Sequence, residues 1–245
     1  MDIYCFPFYN FCMEIINIAN TIYTNYILKF DKDVILVDCG YNTSFNKFLN
    51  KINKLNIALE DIKAVVITHV HQDHVSYLED LFKHIQPKLI VGKNAIELLK
   101  KGEDLFLSFS SKSNRNLTMI TAKFRGGPAS WNPLDITPYH PIIVDKEDDV
   151  SLSEYGIKII PLPGHTEDSI GLLVGEDFIV GDAIMNSIPA RHLLPLLISS
   201  AEDFKNSYTK LIETKAKKYY PGHGGIVTYD KLLKNQKYAM ELEEH

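Results

Sequence analysis

The sequence is poor in the residues that mark disulfide-rich and cysteine-ligated proteins. It contains only 3 cysteines among 245 residues, Cys5, Cys12 and Cys39, and none of them forms a Cys-x-x-Cys pair. A low, odd count is typical of a reducing compartment rather than of a secreted disulfide framework. A chain of this length also buries most of its unfolded-state surface, so it needs no disulfides to be stable.

Long apolar runs and blocks of positive charge are absent as well. No segment approaches the roughly 20 apolar residues of a membrane-spanning helix, and the apolar N-terminus lacks the basic start of a signal peptide. The formal net charge is -5, and no cluster of lysine and arginine offers a surface for phosphate groups. We therefore expect a cytoplasmic protein that binds neither membranes nor nucleic acid.

Alternating strand and helix patterns predict an α/β (α+β) fold built as packed layers. Short β-branched or apolar runs predict strands at 13–15, 21–27, 34–37, 64–68, 88–91, 142–144, 157–160, 170–174, 178–180 and 218–220. Apolar residues at helical spacing predict helices at 43–55, 78–85 and 95–101, a helix capped by Ser200, and a last helix at 228–243.

One stretch breaks these patterns. Ser/Asn-rich sequence, a Gly-Gly-Pro and several prolines follow Gly102, which predicts an irregular insertion or lid at about 103–141 within a single domain spanning 1–245. Some residues there and in the loop after Asp182 could bind substrate, although ordinary packing or solvation explains each of them more simply. They are Arg125, Trp131, Tyr139, His140, Met185, Asn186, Ser187 and His192.

The most unusual segment is His69-Val70-His71-Gln72-Asp73-His74, which directly follows the predicted strand 64–68. Alternate residues on an extended chain point the same way, so His69, His71 and Asp73 can converge while His74 faces a neighbouring position. Neutral imidazole and carboxylate are natural ligands for a metal such as zinc. We therefore interpret this segment as a metal site and not as a histidine-rich surface loop.

Three further segments place a ligand-capable residue directly after a predicted strand. They are Pro163-Gly164-His165-Thr166, Gly181-Asp182 and Pro221-Gly222-His223-Gly224, each with a glycine that permits close backbone approach. Any one of them alone is equally well explained as an ordinary turn. Together with the histidine run, they supply five histidines and two aspartates, which is enough for two metal ions.

The motifs HxHxDH, PGHT, GD and PGHG, in this order and spacing, resemble the metallo-β-lactamase superfamily from the Asp38-Cys39-Gly40 turn to His223. The resemblance implies a four-layer αβ/βα sandwich with metals at one edge. It assigns His69, His71 and His165 to one metal, Asp73, His74 and His223 to the other, and Asp182 to both. It also gives Asp38 a supporting role beside the ligands, although a simple turn aspartate is an equally good interpretation.

A dinuclear site would explain this inventory of residues. Two cations that share one hydroxide can lower the pKa of that water from 15.7 towards about 7, and no Gly-x-Ser-x-Gly nucleophile motif competes with this chemistry. We expect Asp73 and Asp182 to be the catalytic residues. The expected cofactors are two divalent ions, zinc first, with Mn²⁺ or Fe²⁺ as alternatives.

Differences between branches of the superfamily narrow the expected reaction. True β-lactamases usually lack an aspartate at the position of Asp182, so the sequence resembles them less. Flavodiiron proteins carry a carboxylate at the position of His71, which argues against that branch. Glyoxalase II has an extra domain after the last histidine, and we expect none here because the chain ends soon after His223. The resemblance therefore implies a hydrolase that cleaves an ester, lactone or thioester in a small molecule. A phosphodiesterase and a mononuclear-iron persulfide dioxygenase stay open as alternatives, and so does the oligomeric state.

Overall fold

Two β-sheets pack face to face at the centre of the molecule. The computed structural model describes residues 3–6, 11–19, 22–40, 45–102, 108–110 and 132–244. The first sheet has seven strands, in the spatial order β1 (Ile3–Phe6), β2 (Phe11–Asn17), β3 (Tyr26–Phe30), β4 (Asp33–Val37), β5 (Ile62–Ile67), β6 (Lys88–Gly92) and β8 (Ile142–Val144). The ladders from β1 to β4 are antiparallel, and those from β4 to β8 are parallel.

The second sheet has five strands. Their spatial order is β14 (Val227–Thr228), β13 (Lys218–Pro221), β11 (Asp177–Gly181), β10 (Ile170–Val174) and β9 (Ile157–Pro161). β11 and β13 run parallel, while β10 is antiparallel to both β9 and β11. As a result β9, β11 and β13 all run in the same direction. A separate antiparallel pair joins β7 (Ser108–Phe109) to β12 (Leu197–Ile198).

Helices cover the outer faces of both sheets. They are α1 (Phe45–Lys54), α2 (Gln72–Val75), α3 (Leu78–Phe82), α4 (Ala95–Lys101), α5 (Ala201–Thr214) and α6 (Tyr229–Met240), with short 3-10 helices at Leu59–Asp61, Thr137–Tyr139 and Ser153–Tyr155. Three apolar clusters separate the layers. One lies between the first sheet and α1, α3 and α4, one lies between the sheets, and one lies between the second sheet and α5 and α6. This arrangement is the expected αβ/βα sandwich.

The side chains of a single strand, β5, pack in two different apolar clusters. Val65 of β5 packs under the helices, whereas its neighbours Ala64 and Val66 pack between the sheets. Successive side chains of a strand point to opposite faces, so a continuous apolar run is buried on both sides. The helix caps also follow the sequence: Ser200 Oγ accepts from Asp203 N at 3.1 Å, as the sequence predicts.

The predicted strand 21–27 is wrong at its start, because β3 begins only at Tyr26. The preceding residues leave the sheet to contact the loop that carries His223. Thr24 N donates to Gly222 O at 2.9 Å, and Ile22 O lies 3.0 Å from His223 Nδ1. The β-branched residues of this stretch therefore support the predicted metal centre and do not extend the strand.

The predicted insertion at about 103–141 is described only in part. Ile136 is fully buried in the cluster under α1, α3 and α4, and Leu134 N donates to Leu99 O at 2.9 Å. Residues 103–107 and 111–131, with Arg125 and Trp131, lie outside the described residues. A lid formed by this segment stays a prediction.

Two features bear on the environment of the chain. Cys12 is disulfide-bonded and Cys39 is a buried free thiol, so the low cysteine count gives no support for a reducing compartment. Within the part of the chain that the structure describes, no helix is both long enough and apolar enough to cross a bilayer.

Candidate metal centre

The four ligand-bearing segments meet where strands of both sheets end. His69 follows β5 of the first sheet, and His165 and His223 follow β9 and β13 of the second. Asp182 directly follows Gly181, the last residue of β11. Because β9, β11 and β13 run in one direction, their carboxyl ends lie along one edge of the sandwich, where all seven predicted side chains come together.

His69, His71 and His165 form the first group of ligand atoms. His71 Nδ1 lies 3.1 Å from His69 Nε2 and 3.1 Å from His165 Nε2. Burial lowers the pKa of all three imidazoles, that of His71 to about 3, and the neighbouring histidines contribute. Neutral nitrogens bound to one tetrahedral zinc at 2.0–2.1 Å would lie about 3.3 Å apart. The spacing of this group therefore fits a single metal ion.

Asp73, His74 and His223 form the second group. His223 Nε2 lies 3.1 Å from Asp73 Oδ2, and His74 Nε2 lies 3.8 Å from Asp73 Oδ1. The His74 side chain is almost fully buried, whereas the Asp73 side chain is 21% exposed. Asp73 thus sits on the open side of the group, where solvent or a substrate reaches it.

Asp182 lies between the two groups and touches both. Its Oδ2 atom is 3.1 Å from His223 Nε2 and 3.7 Å from His165 Nε2, and its Oδ1 atom is 3.8 Å from His74 Nε2. Burial raises the pKa of Asp182, but the charge and hydrogen bond of His223, with the charges of His74 and His165, together outweigh burial and hold that pKa below the ordinary value. The side chain is therefore an anionic carboxylate that lies between the two groups of ligand atoms.

Four of the histidines have their ring orientation set by a partner at Nδ1. The partners are Thr68 Oγ1 for His69 at 3.2 Å, Asp38 Oδ2 for His74 at 2.8 Å, Leu197 O for His165 at 2.7 Å and Ile22 O for His223 at 3.0 Å. A proton held on Nδ1 leaves Nε2 as the nitrogen that can bind a metal. Burial lowers the pKa of His74 and His223, but the nearby carboxylates outweigh burial and raise the pKa of His74 to about 9 and that of His223 above its ordinary value. A metal ion bound to either ring would therefore displace the proton on Nε2. Asp38 thus lies where the supporting aspartate is expected.

Buried atoms without partners indicate that the donor set fits metal ions. His74 Nε2 and Asp182 Oδ1 are buried, and neither has a hydrogen-bond partner among the described residues. A buried polar atom left unsatisfied costs about 1–3 kcal/mol. A divalent cation between the two groups would give both atoms the partner that they lack.

Two supporting contacts were not predicted from the sequence. Asp168 is buried, and its Oδ2 atom accepts a hydrogen bond from Val70 N at 2.8 Å, between His69 and His71. Thr68 Oγ1 donates to Asp38 Oδ2 at 2.8 Å. No local pattern distinguishes Asp168 from a surface aspartate, because its partner lies 98 residues away.

Gly222 shows the close backbone approach that the Pro-Gly-His-Gly motif predicts. A Cβ atom added to Gly222 would lie 2.3 Å from Asp182 Oδ1 and 2.8 Å from His74 Cε1. Real Cβ atoms do not approach other heavy atoms so closely. Only glycine at this position leaves room for the Asp182 carboxylate.

The candidate substrate residues fall in different environments. Tyr139 packs on Phe82 with ring centroids 4.5 Å apart, and His140 is exposed. His192 stacks on Tyr238 at 3.6 Å. The loop from Met185 to Ser187 borders, with His192, a cavity of about 210 Å³, and its Asn186 contacts the loop that carries His223.

Comparison with known proteins identifies the family. The model of the metallo-beta-lactamase superfamily matches residues 21–223. A probable metallo-hydrolase of Methanocaldococcus jannaschii is 28% identical over 207 residues, which is 83% of this chain and 88% of that protein. A probable metallo-hydrolase of Streptococcus pyogenes is 28% identical over 229 residues, covering 90% of this chain and 88% of that protein.

Solved structures share the architecture. An archaeal metallo-beta-lactamase superfamily protein from Sulfolobus tokodaii aligns with a TM-score of 0.61 at 20% identity, over 92% of this chain and 84% of that one. A protein solved in a di-iron-bound form aligns with a TM-score of 0.64 at 16% identity, over 92% of this chain and 99% of that one. Because the family model covers most of the sequence and the sandwich matches these folds, the chain belongs to the metallo-β-lactamase superfamily.

Proposed function

We propose that the chain is a metal-dependent hydrolase that cleaves an ester, lactone or thioester bond in a small molecule. The observation that carries this proposal is the position of Asp182, whose carboxylate touches the His69/His71/His165 group with one oxygen and His74 with the other. A carboxylate that lies between two sets of ligand atoms can be shared by two metal ions, which is why this position supports a dinuclear hydrolytic site.

The chain's own residues would each have a defined task. His69, His71 and His165 would hold one divalent ion, Asp73, His74 and His223 the other, and Asp182 both. Two bound divalent ions would supply the Lewis acidity that brings the pKa of water towards about 7 and polarises a carbonyl oxygen. The Nδ1 partners of His74, His165 and His223 orient the rings before any metal binds, which reduces the cost of reorganisation.

Three observations support the proposed reaction and substrate class. The relatives from M. jannaschii and S. pyogenes are named probable metallo-hydrolases, which supports hydrolysis as the reaction class. Ile22, whose backbone O lies 3.0 Å from His223 Nδ1, is 57% exposed, and Ile226, three residues after His223, is 48% exposed. Exposed apolar residues on the segments next to His223 favour a substrate with an apolar part. The net charge of -5 is unfavourable for a phosphodiester substrate.

Zinc is the proposed metal, because imidazole and carboxylate ligands suit it and the nitrogen spacing fits its bond lengths. The experiment is metal analysis of the purified chain, followed by chelation, reconstitution with Zn²⁺, Mn²⁺ or Fe²⁺, and assays on lactones, thioesters, aryl esters and phosphodiesters. We expect two metals per chain and zinc-restored hydrolysis of at least one acyl substrate. Cleavage of phosphodiesters alone, or one iron per chain with oxygen uptake on a persulfide, would overturn the proposal.

A further inference from the structure

We propose that Asn186 and Lys231 position His223 and thereby control occupancy of the second metal position, the one formed by Asp73, His74 and His223. The inference rests on the proposed dinuclear function. It assigns a task to two residues outside the ligand set, one on the loop after Asp182 and one in the first turn of α6.

Asn186 holds the His223 loop through both its backbone and its side chain. Asn186 N donates to His223 O at 2.9 Å, and Asn186 Nδ2 donates to Gly225 O at 2.7 Å. These bonds pair Asn186 with Gly224 as in a short parallel bridge. Asn186 therefore binds the ligand residue itself and Gly225, the residues on either side of Gly224.

The two segments are in close backbone contact. Gly224 has a φ of +91°, and a Cβ atom added there would lie 2.1 Å from Asn186 O. Only glycine fits at this position, because both the backbone conformation and the available space exclude a side chain. A shift of Asn186 would therefore be transmitted directly to the residue that follows His223.

Lys231 fixes the orientation of the Asn186 amide. Lys231 Nζ donates to Asn186 Oδ1 at 2.6 Å, so the amide NH₂ is directed to Gly225 O. Lys231 is itself held in α6, since its backbone N donates to the Thr228 Oγ1 cap. A continuous set of contacts thus connects a rigid helix to the His223 loop.

His223 depends on such support more than the other histidines do. Its side chain is 12% exposed, against 2% for His74 and His165 and 0% for His69. The loop between β13 and β14 is short, and core packing immobilises His223 less than the buried ligands. Its Nδ1 contact with Ile22 O sets the ring orientation. Thr24 and Gly181 hold the backbone before His223 through Gly222, and Asn186 holds it at His223 and after. Groups that hydrogen-bond the ring of a ligating histidine typically change metal affinity by about 10- to 100-fold, and a backbone support such as Asn186 should act at the lower end of that range.

The test is a zinc titration of the chelator-treated full chain against a competing chromophoric chelator, which resolves the first and second binding steps. Asn186→Ala removes the bonds to Gly225 O and from Lys231 Nζ but keeps the backbone bond to His223 O. We therefore expect the second step to weaken by about 10-fold, the lower end of the usual range, and the first step to stay unchanged. Lys231→Met should weaken the second step less, and Lys231→Arg, which keeps a donor, should restore it. Lys234→Met, at an exposed lysine of the same helix, is the matched control and should behave like wild type.

Each outcome supports or overturns the inference. Selective loss of the second step in Asn186→Ala and Lys231→Met supports it. An unchanged second step, or equal weakening of both steps, overturns it. If Asn186→Ala does not fold, Lys231→Met takes its place: selective weakening of the second zinc-binding step supports the inference, and an unchanged second step or equal weakening of both steps overturns it. A wild-type chain that binds one zinc overturns the dinuclear site and this inference together, whereas two bound zinc ions without hydrolysis overturn only the proposed function.

Discussion

Asp38 Oδ2 lies 2.8 Å from His74 Nδ1, and this contact directs His74 Nε2 into the metal centre. The carboxylate also accepts hydrogen bonds from Thr68 N at 2.7 Å and from Thr68 Oγ1 at 2.8 Å. Asp38 adopts a φ of +67°, a left-handed conformation that aspartate tolerates better than most residues. The end of β4 is thereby connected to the ligand-bearing loop that follows β5.

Asp38→Asn should weaken binding at the second metal position. An amide NH₂ in the place of Oδ2 would oppose the Nδ1–H of His74 and favour the tautomer with the proton on Nε2, which cannot bind metal. We expect about 10- to 100-fold weaker binding of the second zinc, measured by chelator competition. Asp80→Asn, at an exposed carboxylate of α3, is the control, and equal affinities in the two variants would contradict this role for Asp38.

Gly222→Ala should disrupt the centre, whereas Gly225→Ala should not. The new Cβ at position 222 would lie 2.3 Å from Asp182 Oδ1, so the carboxylate would have to move. At Gly225 the nearest atom, Asn186 Nδ2, would be 3.8 Å away. We expect Gly222→Ala to reduce zinc affinity by more than about 10-fold, by the same titration. Normal zinc binding in Gly222→Ala would show that Asp182 is not placed as described.

His71→Ala should remove the first metal and the activity. His71 Nδ1 is the atom that contacts both other nitrogens of the first group, so its loss leaves two histidines and the shared Asp182. We expect hydrolysis to fall by more than about 100-fold, with at least one metal lost on elemental analysis. His84→Ala, where the ring stacks on Phe45 outside the centre, should keep both metals. An active, fully loaded His71→Ala protein would refute the assignment of the site.

Asp168→Asn should change the pH dependence of stability. Burial raises the pKa of Asp168 to about 6, against about 3.9 for an exposed aspartate. The folded chain therefore binds this proton more tightly than the unfolded chain, and the carboxylate destabilises the fold increasingly as pH rises from about 4 through 6. Asparagine keeps an oxygen that can accept from Val70 N and removes this titration.

We expect equal stabilities of wild type and Asp168→Asn near pH 4. Near pH 7 the variant should be more stable by up to about 3 kcal/mol, since each of about two pKa units contributes about 1.4 kcal/mol. The measurement is denaturant unfolding of the chelator-treated protein between pH 4 and pH 8. A stability difference between the two proteins that does not vary with pH would show that the pKa of Asp168 is not raised in the folded chain.

Local sequence patterns were sufficient to predict a fold of packed layers and to identify the residues that could bind metal. Apolar periodicity predicted α1 and α4 and the buried strand β5, because the repeat of a helix or strand is a property of neighbouring residues. The histidines and aspartates stand directly after strands, and strands of parallel direction end at the same edge of a sheet. That His69, His165, Asp182 and His223 meet at one edge was an expectation from the resemblance to the metallo-β-lactamase superfamily, and the parallel direction of β9, β11 and β13 gives it a physical basis.

The supporting contacts were decided only by the tertiary structure. Asp38 and His74 are 36 residues apart, Val70 and Asp168 are 98 apart, and Ile22 and His223 are 201 apart. Residues 22–25 have the composition of a strand, but they contact the loop that carries His223 and are not part of β3. Such pairs leave no periodic signal, because their proximity depends on how the two sheets and their loops pack together. Residue types and spacing thus determined which side chains can bind metal, and packing of the sandwich determined which polar groups orient them.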